Sequence, residues 1–242
     1  MMWGRFFLGG LMSDNVKLYC QDATEVFLES DSVDMFFLNP SYWGSKMTEY
    51  GGPVDDHINN SDTVDGYLKL LMKLVHHADH ALKPGGSIFL MLQNRHNIVP
   101  QLCGLIASET DLVVGQLHVW DFSMTPIVQG LHYEKMGLII HLHKGEFYVD
   151  EEQHEYVINE DLDLTSLARF RTIGFVDNNL PEELYNKFIR AFSKEGDTIA
   201  DIVGGTGTIV SCGIKLGRKV IYNDLSPDQY AITVARIEAL ED

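Results

Sequence analysis

The sequence predicts an α/β fold, Rossmann-like in its alternation, with seven strands in a mostly parallel, doubly wound sheet that ends in an antiparallel pair. Three observations carry this. Short, almost wholly apolar runs recur, such as Val-Asp-Met-Phe-Phe-Leu at 33–38 and Ser-Ile-Phe-Leu-Met-Leu at 87–92, the pattern of strands covered on both faces. Between them lie helical repeats: Tyr67, Leu70, Leu71, Leu74, Val75, Ala78 and Leu82 return at spacings of three and four. A strand, a glycine turn and a helix then follow one another without a gap over 198–216.

In chain order, the first strand is read at 16–20, a helical turn at 23–28 and a buried strand at 33–38. A helix spans 65–82 and is stopped by Lys83-Pro84-Gly85-Gly86, and a strand follows at 87–92. After a helix at 98–107, strands at 113–120 and 136–143 have no helix between them, so they are predicted to pair antiparallel. Periodicity is weak over 144–178, and 145–178 is the candidate insertion within a single domain spanning 1–242. The rhythm returns with a helix at 181–192, a strand at 198–203, a helix at 208–216, a strand at 219–223 and a helix at 227–240. Pro181 and Pro227 sit where a first helical turn tolerates proline.

Composition narrows the class. The 242 residues are 45% hydrophobic, enough for a sizeable core. Cys20, Cys103 and Cys212 are far apart and odd in number, which reads as a reducing, cytoplasmic setting rather than a disulfide scaffold. No apolar stretch approaches a membrane span, and the first twelve residues lack the pattern of a signal peptide. The net charge of −17 is spread along the chain, and 150–163 alone holds seven carboxylates with no lysine or arginine. A phosphate backbone repels such a surface, so any nucleic-acid binding has to overcome it.

Two segments carry chemistry. Asp201-Ile202-Val203 runs into Gly204-Gly205-Thr206-Gly207-Thr208, and Asp224 ends the next strand. Glycines let a backbone approach a ligand, helix N-terminal amides face the crevice, and an acid at the second strand end suits two ribose hydroxyls. The spacing is not that of a dinucleotide fingerprint. Asp201, ahead of the glycines, suits a cationic ligand group better than a pyrophosphate, which favours S-adenosyl-L-methionine as cofactor. The second segment is Asn39-Pro40-Ser41-Tyr42-Trp43, at the carboxyl end of the 33–38 strand. Proline fixes its own φ and restricts the residue before it. The Asn39 side-chain oxygen and the Pro40 carbonyl would then accept the two hydrogens of an exocyclic amino group, with Tyr42 stacking on a base turned out of its helix.

These residues resemble the S-adenosylmethionine-dependent DNA amino-methyltransferases of the permuted beta class. The resemblance covers most of 14–240. It includes Phe192-Ser193-Lys194-Glu195-Gly196-Asp197, Leu216-Gly217-Arg218-Lys219, Ser226-Pro227, Leu82-Lys83-Pro84-Gly85-Gly86 and Tyr133-Glu134 with His143-Lys144-Gly145. It implies a circularly permuted methyltransferase sheet with a small insertion at 145–178 for target recognition or partner binding. It also implies roles: Asn39, Pro40, Ser41 and Tyr42 in the catalytic loop, Asp22 on the adenine amino group of the cofactor, Asp201, Gly204, Gly205, Thr206, Gly207 and Thr208 in the cofactor loop, and Asp224 on the ribose. Adenine N6 is favoured over cytosine N4, because Asn or Asp in the family loop leans to adenine and Ser to cytosine. Ser41 stands where the family has a second proline, and Val203 where it has phenylalanine.

The implied partner is double-stranded DNA with a flipped base, with a homodimer or helper protein sharing the grip. A catalytically weak subunit that binds a protein partner, or a methyltransferase acting on RNA or a protein amide, are the competing readings. No metal is expected: His76 and His80 read as a solvated helix edge, and His141 and His143 as outward-facing strand residues. No cysteine follows a proline, so the covalent route of carbon-5 cytosine methylation is absent.

Overall fold

The computed structural model describes residues 15–26, 28–41, 63–92, 95–121, 136–152, 167–169 and 182–241. Its strands are β1 (Val16–Tyr19), β2 (Val33–Leu38), β3 (Leu82–Leu92), β4 (Val113–Asp121), β5 (Met136–His143), β6 (Leu167–Arg169), β7 (Thr198–Asp201) and β8 (Lys219–Asn223). The helices are α1 (Val64–Ala81), α2 (Ile98–Glu109), α3 (Glu182–Phe192), α4 (Thr208–Lys215) and α5 (Pro227–Glu241). No described helix is long and apolar enough to cross a membrane.

One sheet holds all the described strands, in the order β1-β8-β7-β2-β3-β5-β4-β6. Only β5 is reversed: it pairs antiparallel with both β3 and β4, and the other pairings are parallel. The predicted antiparallel pairing of β4 with β5 is therefore present, with the reversed strand inside the sheet. The seven predicted strands are joined by an eighth, β6, from within 145–178. Its three residues pair with Val119, Trp120 and Asp121, too short a run for a sequence pattern to reveal.

Both faces of the sheet are buried, and strand alternation splits the core in two. Phe36, Leu38, Ile88 and Leu90 pack with Leu71, Leu74, Val75 and Leu102 of α1 and α2. Met35, Phe37, Phe89 and Met91 pack with Phe188, Ile189, Val210 and Ile237 of α3, α4 and α5. Coverage on both sides also corrects the reading of His141 as outward-facing. It is 3% exposed, stacks on Phe89 with ring centroids 4.7 Å apart, and shares a 3.0 Å hydrogen bond with Ser87 Oγ. His76 and His80 are exposed, as expected.

Local chemistry sets the element ends. Thr63 caps α1, its Oγ1 accepting from the Gly66 amide at 3.1 Å. At the other end Lys144 Nζ donates to the carbonyls of Asp79 (2.8 Å) and Leu82 (3.1 Å), a cation where the helix dipole favours one. The chain then enters β3 at once. Lys83-Pro84-Gly85-Gly86 is absorbed as an irregularity, with the register against β2 moving from Val33↔Leu82 to Met35↔Ser87.

At the amino end of the sheet, Asp34 ties three strands together. Its Oδ2 accepts from Lys83 Nζ at 2.7 Å and from the Thr198 amide at 2.8 Å. Asp34→Ala is expected to cost about 1.5–3 kcal/mol, the range for hydrogen bonds to charged groups, and Asp34→Asn less. Urea unfolding checks this, and equal stability of all three proteins would contradict it.

Candidate active site

The four parallel neighbours β1, β8, β7 and β2 deliver their carboxyl ends to one rim. Asp22 follows β1, Asp224 follows β8, the turn 202–207 follows β7, and Asn39-Pro40-Ser41 follows β2. The register Phe36↔Ala200 between β2 and β7 brings Asn39 beside the start of the glycine turn, because paired strands lie about 4.8 Å apart. The rim between them is a topological switch point. The β7–α4–β8 connection moves outward, whereas the β1–β2 connection crosses back over both strands. Open α/β sheets bind ligands at such a point.

Asn223 fastens three of these loops together. It is fully buried; its Nδ2 donates to the carbonyls of Gln21 and Ile202, both at 3.0 Å. Its Oδ1 accepts from the Gln21 amide at 3.1 Å, and its own carbonyl accepts from the Gly204 amide at 2.9 Å. Nothing in the spacing of the sequence singles it out, because its partners lie about twenty and two hundred residues away.

The glycine turn closes on itself through a 3.0 Å bond from the Gly207 amide to the Gly204 carbonyl. Gly207, at φ +72°, starts α4 with its backbone in contact range of Thr233, so a side chain there meets Thr233 directly. Gly205, at φ +52°, differs: a Cβ there meets no described atom within 4 Å. Its carbonyl accepts from Tyr222 at 2.6 Å and Thr233 at 3.3 Å, which turns its other face to the rim. Thr206 is partly exposed, and Thr208 is buried with Oγ1 3.3 Å from Arg236.

The acids are differently placed. Asp201 is 2% exposed, and its Oδ1 accepts from the Val203 amide at 3.0 Å. Burial, with Asp224 nearby, pushes its carboxyl up to about 8 from the usual value near 4. Asp224 accepts from the amides of Gly205 (2.8 Å) and Ser226 (2.9 Å), and Asp22 from the amide and hydroxyl of Thr24, both at 2.8 Å. Val203, where phenylalanine was expected, still supplies the amide for Asp201 and packs on the α1–α2 side of the core.

At the β2 corner, Pro40 is buried and Asn39 Oδ1 is buried without a hydrogen-bond partner among the described residues. An acceptor left in that state costs about 1–3 kcal/mol, so it is set for a donor from outside. The Ser41 carbonyl accepts from Tyr67 of α1 at 2.9 Å, a contact the sequence did not signal. Tyr42 and Trp43 lie outside the described residues. His96 is exposed after β3, at φ +51°.

The residues fit a ligand with a cationic end and a ribose. An uncharged carboxyl in Asp201 becomes stable as the anion once a cation is beside it, Asp224 offers a second carboxylate along the rim, and the Gly205 backbone leaves room for close approach.

A family model described as DNA methylase matches residues 33–235. The chain is 22% identical to the type II methyltransferase M.HpaI of Haemophilus parainfluenzae, covering 92% of this chain and 74% of that protein. Among solved structures it resembles the PvuII DNA methyltransferase, described as cytosine-N4-specific, with a TM-score of 0.73 and 16% identity over 92% of this chain and 86% of that one. A putative DNA modification methylase from Thermus thermophilus, solved with S-adenosyl-L-methionine, gives a TM-score of 0.66 and 19% identity over 92% and 95%.

The state of Asp201 has a measurable sign. The folded protein keeps a proton that the unfolded chain loses above about pH 4, so stability from this group falls as pH rises from about 4 to 8. Asp201→Asn removes that slope. Without ligand, the variant is expected to melt close to wild type near pH 4 and several degrees higher at pH 8.5; parallel pH profiles of the melting temperature would contradict the assignment.

Proposed function

The chain belongs to the family of S-adenosylmethionine-dependent DNA methylases that modify amino nitrogens, N6 of adenine or N4 of cytosine, and from that premise we propose that it methylates adenine N6 in double-stranded DNA. The observation that carries the site assignment is the buried Asn39 Oδ1, without a partner among the described residues, on the rim shared with the glycine turn.

S-adenosylmethionine, when bound, supplies a methyl group activated by a sulfonium. The chain's residues do the rest. Asp201 meets the positive end of the cofactor, Asp224 the ribose hydroxyls and Asp22 the adenine amino group, with Gly204, Gly205, Thr206, Gly207 and Thr208 forming the floor. Asn39 Oδ1 and the Pro40 carbonyl accept the two hydrogens of the target amino group. An aromatic amine is a weak nucleophile because its lone pair is delocalised into the ring. Two acceptors that pull on its hydrogens turn the lone pair out of the ring plane and stabilise positive charge as the N–C bond forms. The methylated nitrogen then loses its surplus proton to water, because the Asn39 and Pro40 oxygens are neutral amide oxygens that can accept a hydrogen bond but are too weakly basic to keep the proton. Tyr42 stacks on the flipped base.

The preference for adenine rests on Asn39, since family loops with Asn or Asp lean to adenine. The likeness to the cytosine-N4-specific PvuII enzyme is one of fold. The net charge of −17 points to a second copy or a helper protein that supplies basic surface for DNA in the cytoplasm, with 145–178 as the segment that meets target or partner. β6 supports this last placement, because it pairs with the β4 residues nearest the substrate rim.

Incubation of the purified protein with tritium-labelled cofactor and duplex DNA, followed by nucleoside digestion, tests the reading. Label is expected in N6-methyladenine; label in N4-methylcytosine, RNA or protein would overturn the choice of substrate. Asn39→Ala is expected to lower kcat about a hundred- to a thousand-fold, the range for loss of a charge-stabilising group in the transition state, while cofactor Kd by calorimetry stays within about two-fold. Retained turnover would remove Asn39 from the mechanism.

A further inference from the structure

The catalytic corner has a defect that α1 repairs. A proline at 41 restricts the residue before it to extended ψ, which fixes the direction of the Pro40 carbonyl. Ser41 imposes no such restriction. Pro40 keeps its own φ, but rotation about its ψ and the following φ would swing its carbonyl away from an amino group. In the structure, the Ser41 carbonyl is held from outside, by the Tyr67 hydroxyl at 2.9 Å.

Tyr67 is suited to this. Its ring is 1% exposed and belongs to the core that joins α1 to the sheet. Thr63, one turn earlier, caps the helix and accepts the Tyr67 amide through its carbonyl at 3.0 Å. The phenol thus has little freedom, and its hydroxyl reaches the corner. With the Pro40 ring at one end and the Tyr67 bond at the other, the peptide plane that carries the Pro40 carbonyl is bracketed.

We infer that Tyr67 is a positioning residue for methyl transfer: its hydroxyl, by holding the Ser41 carbonyl, fixes the direction of the Pro40 carbonyl that accepts from the target amine. This rests on the methyl-transfer reading above, and the two are tested separately. The experiment measures kcat, KM for DNA, cofactor Kd and melting temperature for wild type, Tyr67→Phe, Ser41→Pro and the double variant. Tyr67→Phe is expected to lower kcat about ten-fold, the equivalent of one hydrogen bond, with cofactor Kd within about two-fold and the melting temperature lowered by no more than about 2–4 °C. In the Ser41→Pro background, where the ring takes over the restraint, the same substitution is expected to cost less than about two-fold. An undiminished kcat in Tyr67→Phe, or the same loss in both backgrounds, would overturn the inference while leaving methyl transfer intact. A wild-type protein that binds cofactor but labels no nucleic acid would overturn the functional reading and this inference with it.

Discussion

The buried carboxamide of Asn223 is the constraint on which the rest of the site depends. Three strand ends must stay in register on one rim, and each leaves backbone groups at its end that the sheet no longer pairs. Asn223 satisfies groups of Gln21 and Ile202 through its side chain and Gly204 through its carbonyl. Each bond contributes about 1 kcal/mol net, yet leaving such buried groups unpaired costs more. The loops that carry Asp22, Asp224 and the glycine turn are therefore fixed relative to one another before any ligand arrives, which reduces the ordering that binding must impose.

Electrostatics at this rim runs against stability. Asp201 is a buried carboxyl with another acid nearby, and it is held neutral at a pH where an exposed aspartate is ionised. Asn39, at the end of the strand next to it in the sheet, keeps an acceptor without a partner among the described residues. Both features disfavour the free protein, and both are relieved by positively polarised groups: a cation for Asp201, and an amine gaining positive charge for Asn39.

Much of the fold was legible because continuous apolar runs and helical repeats are local. β2, β3, β7 and β8 were read from runs such as Met35-Phe36-Phe37-Leu38, α1 from its leucine spacing, and the circular permutation from the resemblance to a permuted family. The glycine turn and the Asn39 corner were legible as residue types in a strand–turn context, and the parallel pairing of β2 with β7 puts them on one rim. The rest depends on distant contacts. His141 read as outward because alternation gives a period and not a face, and α3 covers that face with Phe188 and Phe192. β6 is too short to show a period. The roles of Asn223, Tyr67 and Asp34 come from hydrogen bonds across 202, 26 and 164 positions, and no spacing rule reports those.

A crystal structure of the protein with S-adenosylmethionine bears most directly on the shared rim. The sulfonium is expected between the Gly204–Gly207 turn and the Asn39 corner, with its methyl group facing Asn39 Oδ1 and the ribose on Asp224. A cofactor bound elsewhere, or one whose methyl points away from Asn39 across the sheet, would contradict the account.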